Sequence, residues 1–400
     1  DMGWAEKNIL PSECTKIIVK DIYGNITLDK NTVMVIPDAP VAGYCPPEIP
    51  EGIKHITGHG TGKVWVDILN PEEVRDGKYL VVFDDTTHRD TTYYSLYELE
   101  DDGDTVAILR NSDALNQEDT NPIFNGMRLF VKDDTVAFND STTGWIKGKS
   151  NLTIYAELHS YWKGEKIRID GFPTCYEIRV GIKDTSWLFS KPMFETNFQV
   201  WDIVNDHKVR FYLWEPEDNA DSVLSAGDYV RLWLKVGSLW KETWTIYFVA
   251  PENEETIQPD SGDVAFIGIN LPFSSNDQFY FETKAQYVDR GKAKQELDRI
   301  AVVPNPYVAA APWEPPRFFA SGRGPRKIDF IHLPQRATIR IYTLSGDLVK
   351  VIHHESSMND GSESWNLQTK DGMDLAPGVY IYHVDAGEIG EKVGKFAIIK

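Results

Sequence analysis

The sequence predicts an all-β chain of tandem β-sandwich domains of immunoglobulin or fibronectin type, and three observations predict it. Short alternating runs recur from end to end, and turn dipeptides separate them. Aromatic residues, which favour strands, are abundant at 12 Trp, 18 Tyr and 18 Phe. Only residues 292–300 (KAKQELDRI) carry helical periodicity. At 400 residues the chain exceeds one ordinary core and calls for several domains.

Residues 15–20 (TKIIVK) and 32–36 (TVMVI) flank Tyr23-Gly24-Asn25 and are expected to pair as a hairpin. Two strands bury no core, so residues 1–40 read as the closing strands of a truncated domain. Residues 41–55, overlapping the proline-rich run 37–50, read as a stiff linker, because proline fixes φ and removes donors. Strands are then expected at 63–69, 79–83, 92–99, 105–109, 127–131 and 153–158, forming a sandwich over 56–165. A second set at 176–182, 198–203, 209–214, 229–236, 243–249 and 264–269 suggests a second sandwich over 166–290, or one domain with the first. The short helix and a second proline-rich connection occupy 291–322. The last block, 323–400, has about seven short strands at the spacing of an immunoglobulin-like sandwich. Within it, Ile339, Ile341, Val379 and Ile381 are expected to share one buried face.

The net charge of −20 argues against nucleic acid as a partner. The charge is concentrated: residues 84–140 hold 14 acids and 4 bases, whereas 323–400 hold 10 of each. No run approaches the roughly 18 apolar residues of a membrane span. The chain opens with Asp1-Met2-Gly3-Trp4 and no signal-peptide pattern, and reads as a mature product or the C-terminal part of a longer protein.

At the C-terminal block, the string 337–350 (ATIRIYTLSGDLVK), Trp365-Asn366-Leu367, the string 376–382 (APGVYIY) and the terminal 394–400 (GKFAIIK) occur in that order. They resemble a type IX secretion C-terminal sorting domain, which is similar in fold to the immunoglobulin-like domain of flagellar hook-capping proteins. Val303-Pro304-Asn305-Pro306-Tyr307 is similar to the segment that leads into such domains, and residues 11–47 resemble closing strands of a fibronectin type III-like domain. The resemblance implies a sorting motif at Gly346, Asp347, Pro377, Gly378, Tyr380, Lys395 and Lys400. It also implies recognition by outer-membrane secretion machinery and a place outside a bacterium or on its surface. Many relatives lose this tail after export.

Sites are fewer. No Gly-x-Ser-x-Gly, His-Glu-x-x-His or phosphate loop occurs, so the chain is expected to be no enzyme and to need no cofactor. His353 and His354, adjacent on a strand, would face opposite ways and chelate nothing together. Asp101, Asp102, Asp104, Asp133 and Asp134 are weak candidates for structural calcium, since turns also use Asp for local backbone bonds. Cys14 and Cys45 could pair in an oxidising compartment and leave Cys175 as a buried thiol. Trp187, Trp214 and Trp233 are candidate contact aromatics for glycan or protein, with core filling as the alternative. The reading is a secreted structural or adhesive surface protein, able to self-assemble into a fibre or to bind cell-surface glycans. The alternatives are the non-catalytic end of an exported hydrolase, or a carbohydrate-binding module.

Overall fold

A computed structural model describes residues 18–20, 26–28, 39–85, 92–100, 103–116, 120–162, 171–308 and 327–399. Antiparallel sheets dominate, with one seven-residue α-helix, so the all-β expectation stands. The chain divides into two units, 47–286 and 1–46 with 287–400.

The 47–286 unit contains two nested sandwiches. In the outer one, a five-stranded sheet runs in the order Lys54–Thr57, Gln278–Thr283, Gly77–Asp84, Tyr93–Leu99, Thr105–Ser112. It faces a three-stranded sheet of Lys63–Ile68, Met127–Lys132 and Ile123–Phe124. Alternation decides the faces: Tyr79, Val81 and Phe83 point inward from one strand to meet Met127, Leu129 and Val131 from the other sheet. The inner sandwich has its core between residues 152 and 271. Its sheets run Gly144–Lys147, Val264–Ile267, Tyr176–Leu188, Lys191–Asp202, His207–Lys208, and Thr153–Leu158, Leu239–Val249, Tyr229–Val236, Arg210–Trp214. Of the two arrangements left open, two sandwiches divided at 165/166 or one domain, 47–286 forms one compact unit; the inner core spans 165/166, and strand Gln278–Thr283 returns to the outer sheet after it. Periodicity marks strands but not partners, which is why this nesting was not legible.

Three of the turns leading into strands share one device. In Ser225–Asp228, Asp260–Asp263 and Ser274–Asp277, the first residue's N–H donates to the Asp carboxylate (2.7, 3.2 and 2.7 Å). The Asp N–H returns a bond to the first residue's carbonyl. Each Asp is buried and immediately precedes a strand, so a carboxylate replaces the water these turn amides would otherwise need.

In the other unit, a mixed five-stranded sheet (Tyr307–Val308, Glu391–Ile399, Gly378–Asp385, Arg336–Thr343, Leu348–Glu355) packs on Ala301–Val303, Ile328–Ile331 and Glu363–Trp365. The helix is Arg290–Glu296, continued by the 3-10 turn Leu297–Arg299; Asp289 caps it, accepting from the Lys292 amide at 2.7 Å. The expected connection around residues 303–307 is instead built into this unit. Asn305 Nδ2 donates to the Lys395 carbonyl and its Oδ1 accepts from the Ala397 amide, both at 3.1 Å.

Two further expectations are corrected. The linker expected over 41–55 is docked at its start: the Val41 and Ala42 amides donate to the Met358 and Leu333 carbonyls at 3.0 Å, and Gly361 donates to the Ala39 carbonyl at 2.7 Å. Small side chains at Val41 and Ala42 allow that close approach, and both are buried. At the N-terminus, Ile18–Lys20 pairs with Ile26–Leu28, a tighter hairpin than expected; residues 32–36 lie outside the described residues.

Candidate functional site

Arg210 opens strand Arg210–Trp214, whose Phe211 and Leu213 enter the inner core, so Arg210, Tyr212 and Trp214 face outward. Two hairpin ends converge on Arg210. Trp187 comes from the end of Tyr176–Leu188 and Trp240 from the start of Leu239–Val249, and the guanidinium lies 4.0 and 3.9 Å from their ring centroids. Trp233 Nε1 donates to the Trp187 carbonyl at 2.9 Å, and Phe189 packs on the Trp233 ring at 4.6 Å. The cluster therefore ties one sheet of the inner sandwich to the other. Burial pushes the Arg210 guanidinium below its ordinary value, and among the described residues no carboxylate pairs with it.

Beside this stack lies a cavity of about 320 Å³. Tyr176, Trp233 and Thr243 are its buried wall, and His207, Lys208, Arg210 and Lys235 bring basic groups to it. Its one acid, Asp202, is already occupied by Thr174 Oγ1, the Val204 and Asn205 amides and Asn205 Nδ2. A larger depression of about 610 Å³ on the outer sandwich has mixed charge, with Glu98 paired to Arg75 at 2.9 Å, and concentrates no chemistry.

Of the sequence-expected aromatics, Trp187 and Trp233 meet in this cluster, and Trp214 does not. Trp214 stacks on Tyr229 at 4.7 Å and 8°, beginning a row that crosses all four strands of its sheet. Tyr229 is opposite Tyr247, and Tyr247 stacks on Tyr155 at 4.6 Å and 11°. Trp214 and Tyr155, at the two ends of the row, are its exposed members, while the Tyr247 hydroxyl donates to Glu157 at 3.4 Å and the Tyr229 hydroxyl accepts from Arg231 at 3.2 Å. Nothing in the alternation of one strand reveals such a row, because it depends on register across four.

The acidic candidates are not brought together. Asp133 is buried and accepts from the Phe273 amide at 2.7 Å, Asp134 accepts from Thr61 Oγ1 at 2.6 Å, and Asp104 is exposed after a turn at Gly103. Asp101, Asp102 and Cys14 of the expected Cys14–Cys45 pair lie outside the described residues; Cys45 Sγ donates to the Gly43 carbonyl at 3.7 Å. Among the described residues no three His, Cys, Asp or Glu side chains converge as metal ligands. Cys175 is buried, and burial raises its thiol pKa.

In the C-terminal sandwich, Gly346 (φ +91°) and Asp347 form a hairpin tip, with the Asp347 carboxylate accepting from Thr343 and Ser345 hydroxyls at 3.2 and 3.0 Å. Pro377 precedes Gly378, which opens its strand at a φ of 158°, nearly extended. Lys395 is exposed on the last strand, and Lys400 lies outside the described residues. The expected inner face needs correction: Ile339 and Ile341 are buried, but Val379 is exposed and Tyr380, Tyr382 and Val384 point inward. Buried tyrosines are tolerated because the Tyr380 and Tyr382 hydroxyls reach the Ala376 and Ile300 carbonyls at 2.8 and 3.1 Å.

His353 is exposed and His354 buried, on opposite faces as expected. His354 Nδ1 lies 2.9 Å from Glu363 Oε2 and its Nε2 lies 3.1 Å from Ser356 Oγ, an order seen in nucleophile relays. Here the Ser356 hydroxyl also donates to the Ser357 carbonyl, its amide is spent on Gln335, and it lines none of the larger cavities. The trio satisfies the hydrogen-bonding groups of a buried histidine.

No family model and no curated protein matches the chain. Among solved structures it is similar to PorZ of Porphyromonas gingivalis, an essential bacterial surface component of the type-IX secretion system, at 14% identity and a TM-score of 0.22. That alignment covers 80% of this chain and 51% of PorZ. Dimeric latent PorU from the same organism aligns at 12% identity and a TM-score of 0.18, over 94% of this chain and 35% of PorU. The chain thus spans about half the length of the first and about a third of the second.

Proposed function

We propose that this chain is an exported, non-catalytic protein of a bacterial cell surface, structural or adhesive, whose C-terminal sandwich is its sorting module. The observation that carries the reading is the placement of the ordered motif strings in one sandwich with its own core. The 337–350 string forms the hairpin Arg336–Thr343 and Leu348–Glu355, the 376–382 string leads into strand Gly378–Asp385, and the terminal string is the last strand. The Gly346–Asp347 tip and Lys395 are exposed and available to a receptor. The partner on this reading is an outer-membrane secretion machinery of type IX. The test expresses the full chain in a bacterium with that machinery intact or inactivated, followed by surface proteolysis of whole cells. Export only with intact machinery, reduced by replacing the 345–347 tip, supports the proposal. Equal surface exposure in both strains overturns it.

A second reading, glycan binding, is favoured by the aromatic row of Trp214, Tyr229, Tyr247 and Tyr155 beside the polar Arg231 and Glu157. Binding to a glycan array that is lost in Trp214→Ala and Tyr155→Ala variants would support it; an array with no bound glycan would reject it.

A further inference from the structure

We propose that the cavity beside Arg210 binds a small ring-shaped carboxylate of about monosaccharide size. Four observations carry this. First, the Arg210 guanidinium, planar by its own bonding, lies 4.0 Å from the Trp187 ring centroid and 3.9 Å from that of Trp240, and these two contacts restrain its orientation. One N–H is spent on the Phe189 carbonyl at 3.3 Å, and a guanidinium has five. An arginine held this way presents a planar fork that matches a carboxylate.

Second, the guanidinium has no anionic partner among the described residues, although the chain carries 61 acids against 41 bases. Two nearby acids are engaged elsewhere: Asp202 accepts from its own loop and lies 3.9 Å from His207 Nδ1, and Asp184 pairs with Lys208 at 3.1 Å. Third, Lys235 adds an exposed charge at the same cavity, with no ion-pair partner among the described residues. Fourth, Tyr176, Trp233 and Thr243 form a buried wall whose polar groups are already bonded within the fold, which leaves chiefly apolar surface beside the basic groups, a lining suited to a small ring. The volume of about 320 Å³ sits at the small end of the range for ligand sites. The inference is independent of the export proposal, since it concerns the inner sandwich alone.

The probe is D-glucuronate, titrated into the full chain by calorimetry and by tryptophan fluorescence, with D-glucose as the neutral control and inorganic phosphate as the other anion. Saturable binding of glucuronate, at least about tenfold tighter than glucose, is expected. Arg210→Lys keeps the charge but loses the fork, and should weaken binding by about tenfold or more. Because that change also touches the hairpin clamp, Lys235→Glu is the second variant; it is exposed and should weaken binding several-fold with an unchanged melting temperature. No saturable glucuronate binding overturns the proposal. So does glucose binding equally well, or affinity unchanged in both variants. Phosphate binding as tightly as glucuronate, with the same variant dependence, overturns the carboxylate assignment.

Discussion

The Gly43 amide donates to the Glu296 carboxylate at 2.7 Å, joining residues 253 positions apart. Gly43 has φ +83°, and a Cβ there would run into the Asp289 carbonyl and lie 2.7 Å from Ala293 Cβ. The close approach of the docked 39–45 segment to the helix therefore requires glycine. Gly43→Ala should destabilise the unit by roughly 1–3 kcal/mol, through strain at positive φ and loss of this contact. Urea unfolding compared with a Gly52→Ala control, where a Cβ meets nothing, checks it. Equal losses in the two variants would reject the docking role.

Asp277 gathers four donors: the Gly60 and Ser274 amides and Ser274 Oγ, each at 2.7 Å, and His55 Nε2 at 2.8 Å. It is fully buried, so its removal strands several polar groups at once. Asp277→Ala should cost about 3–5 kcal/mol, against about 1 kcal/mol or less for Asp134→Ala at the surface. Thermal melting of the outer sandwich reads the difference.

Asp228 titrates at about 6 instead of its ordinary 3.8, chiefly through burial and then through the Glu215 and Asp221 carboxylates. One of its oxygens is buried without a partner. The folded state thus holds this proton more tightly than the unfolded state. Its contribution is fully present below pH 4 and is lost as pH rises through 6. Asp228→Asn, neutral at every pH, should gain roughly 1–2 kcal/mol on the wild type at pH 7.5 and lose that advantage near pH 4. Denaturant midpoints at the two pH values decide it, and an advantage independent of pH would reject the ionisation account.

Cutting the chain at a protease site engineered between Val308 and Lys327 should leave residues 327–399 associated with the rest. Strand pairs cross the cut: Ala301–Val303 with Asp329–Ile331, and Tyr307–Val308 with Ile398–Ile399. Co-elution of both fragments in native size exclusion, and separation in urea, is the expected result.

The inner face of the C-terminal sheet gives a fourth comparison. Tyr382→Phe leaves the Ile300 carbonyl without its buried donor and should cost about 1 kcal/mol. Val379→Ser, on the exposed face, should cost less than about 0.5 kcal/mol.

Strand positions were largely legible, because a buried face imposes period two on every run, as in Phe211 and Leu213. The face choice failed where both alternatives were apolar. In the string 378–385, valine and isoleucine alternate with tyrosines, and only the hydroxyl partners at Ala376 and Ile300 decide which set turns inward. The Ser/Asp-x-x-Asp turns were readable in principle, since a repeated spacing precedes a strand each time. The Arg210 clamp was not, because it joins residues 187, 210 and 240 by tertiary packing alone.

The nesting of strand Gln278–Thr283 has a consequence for how the molecule is made. That strand occupies an inner position, between Lys54–Thr57 and Gly77–Asp84. A ribosome releases it only after the whole inner sandwich has emerged, so of the two sandwiches in 47–286 the one begun first is completed second. Until then, an unfilled gap with free backbone donors and acceptors waits in the outer sheet. Any helper that guards this chain during synthesis must cover that gap for the time it takes to make about 140 residues, roughly 10–30 seconds.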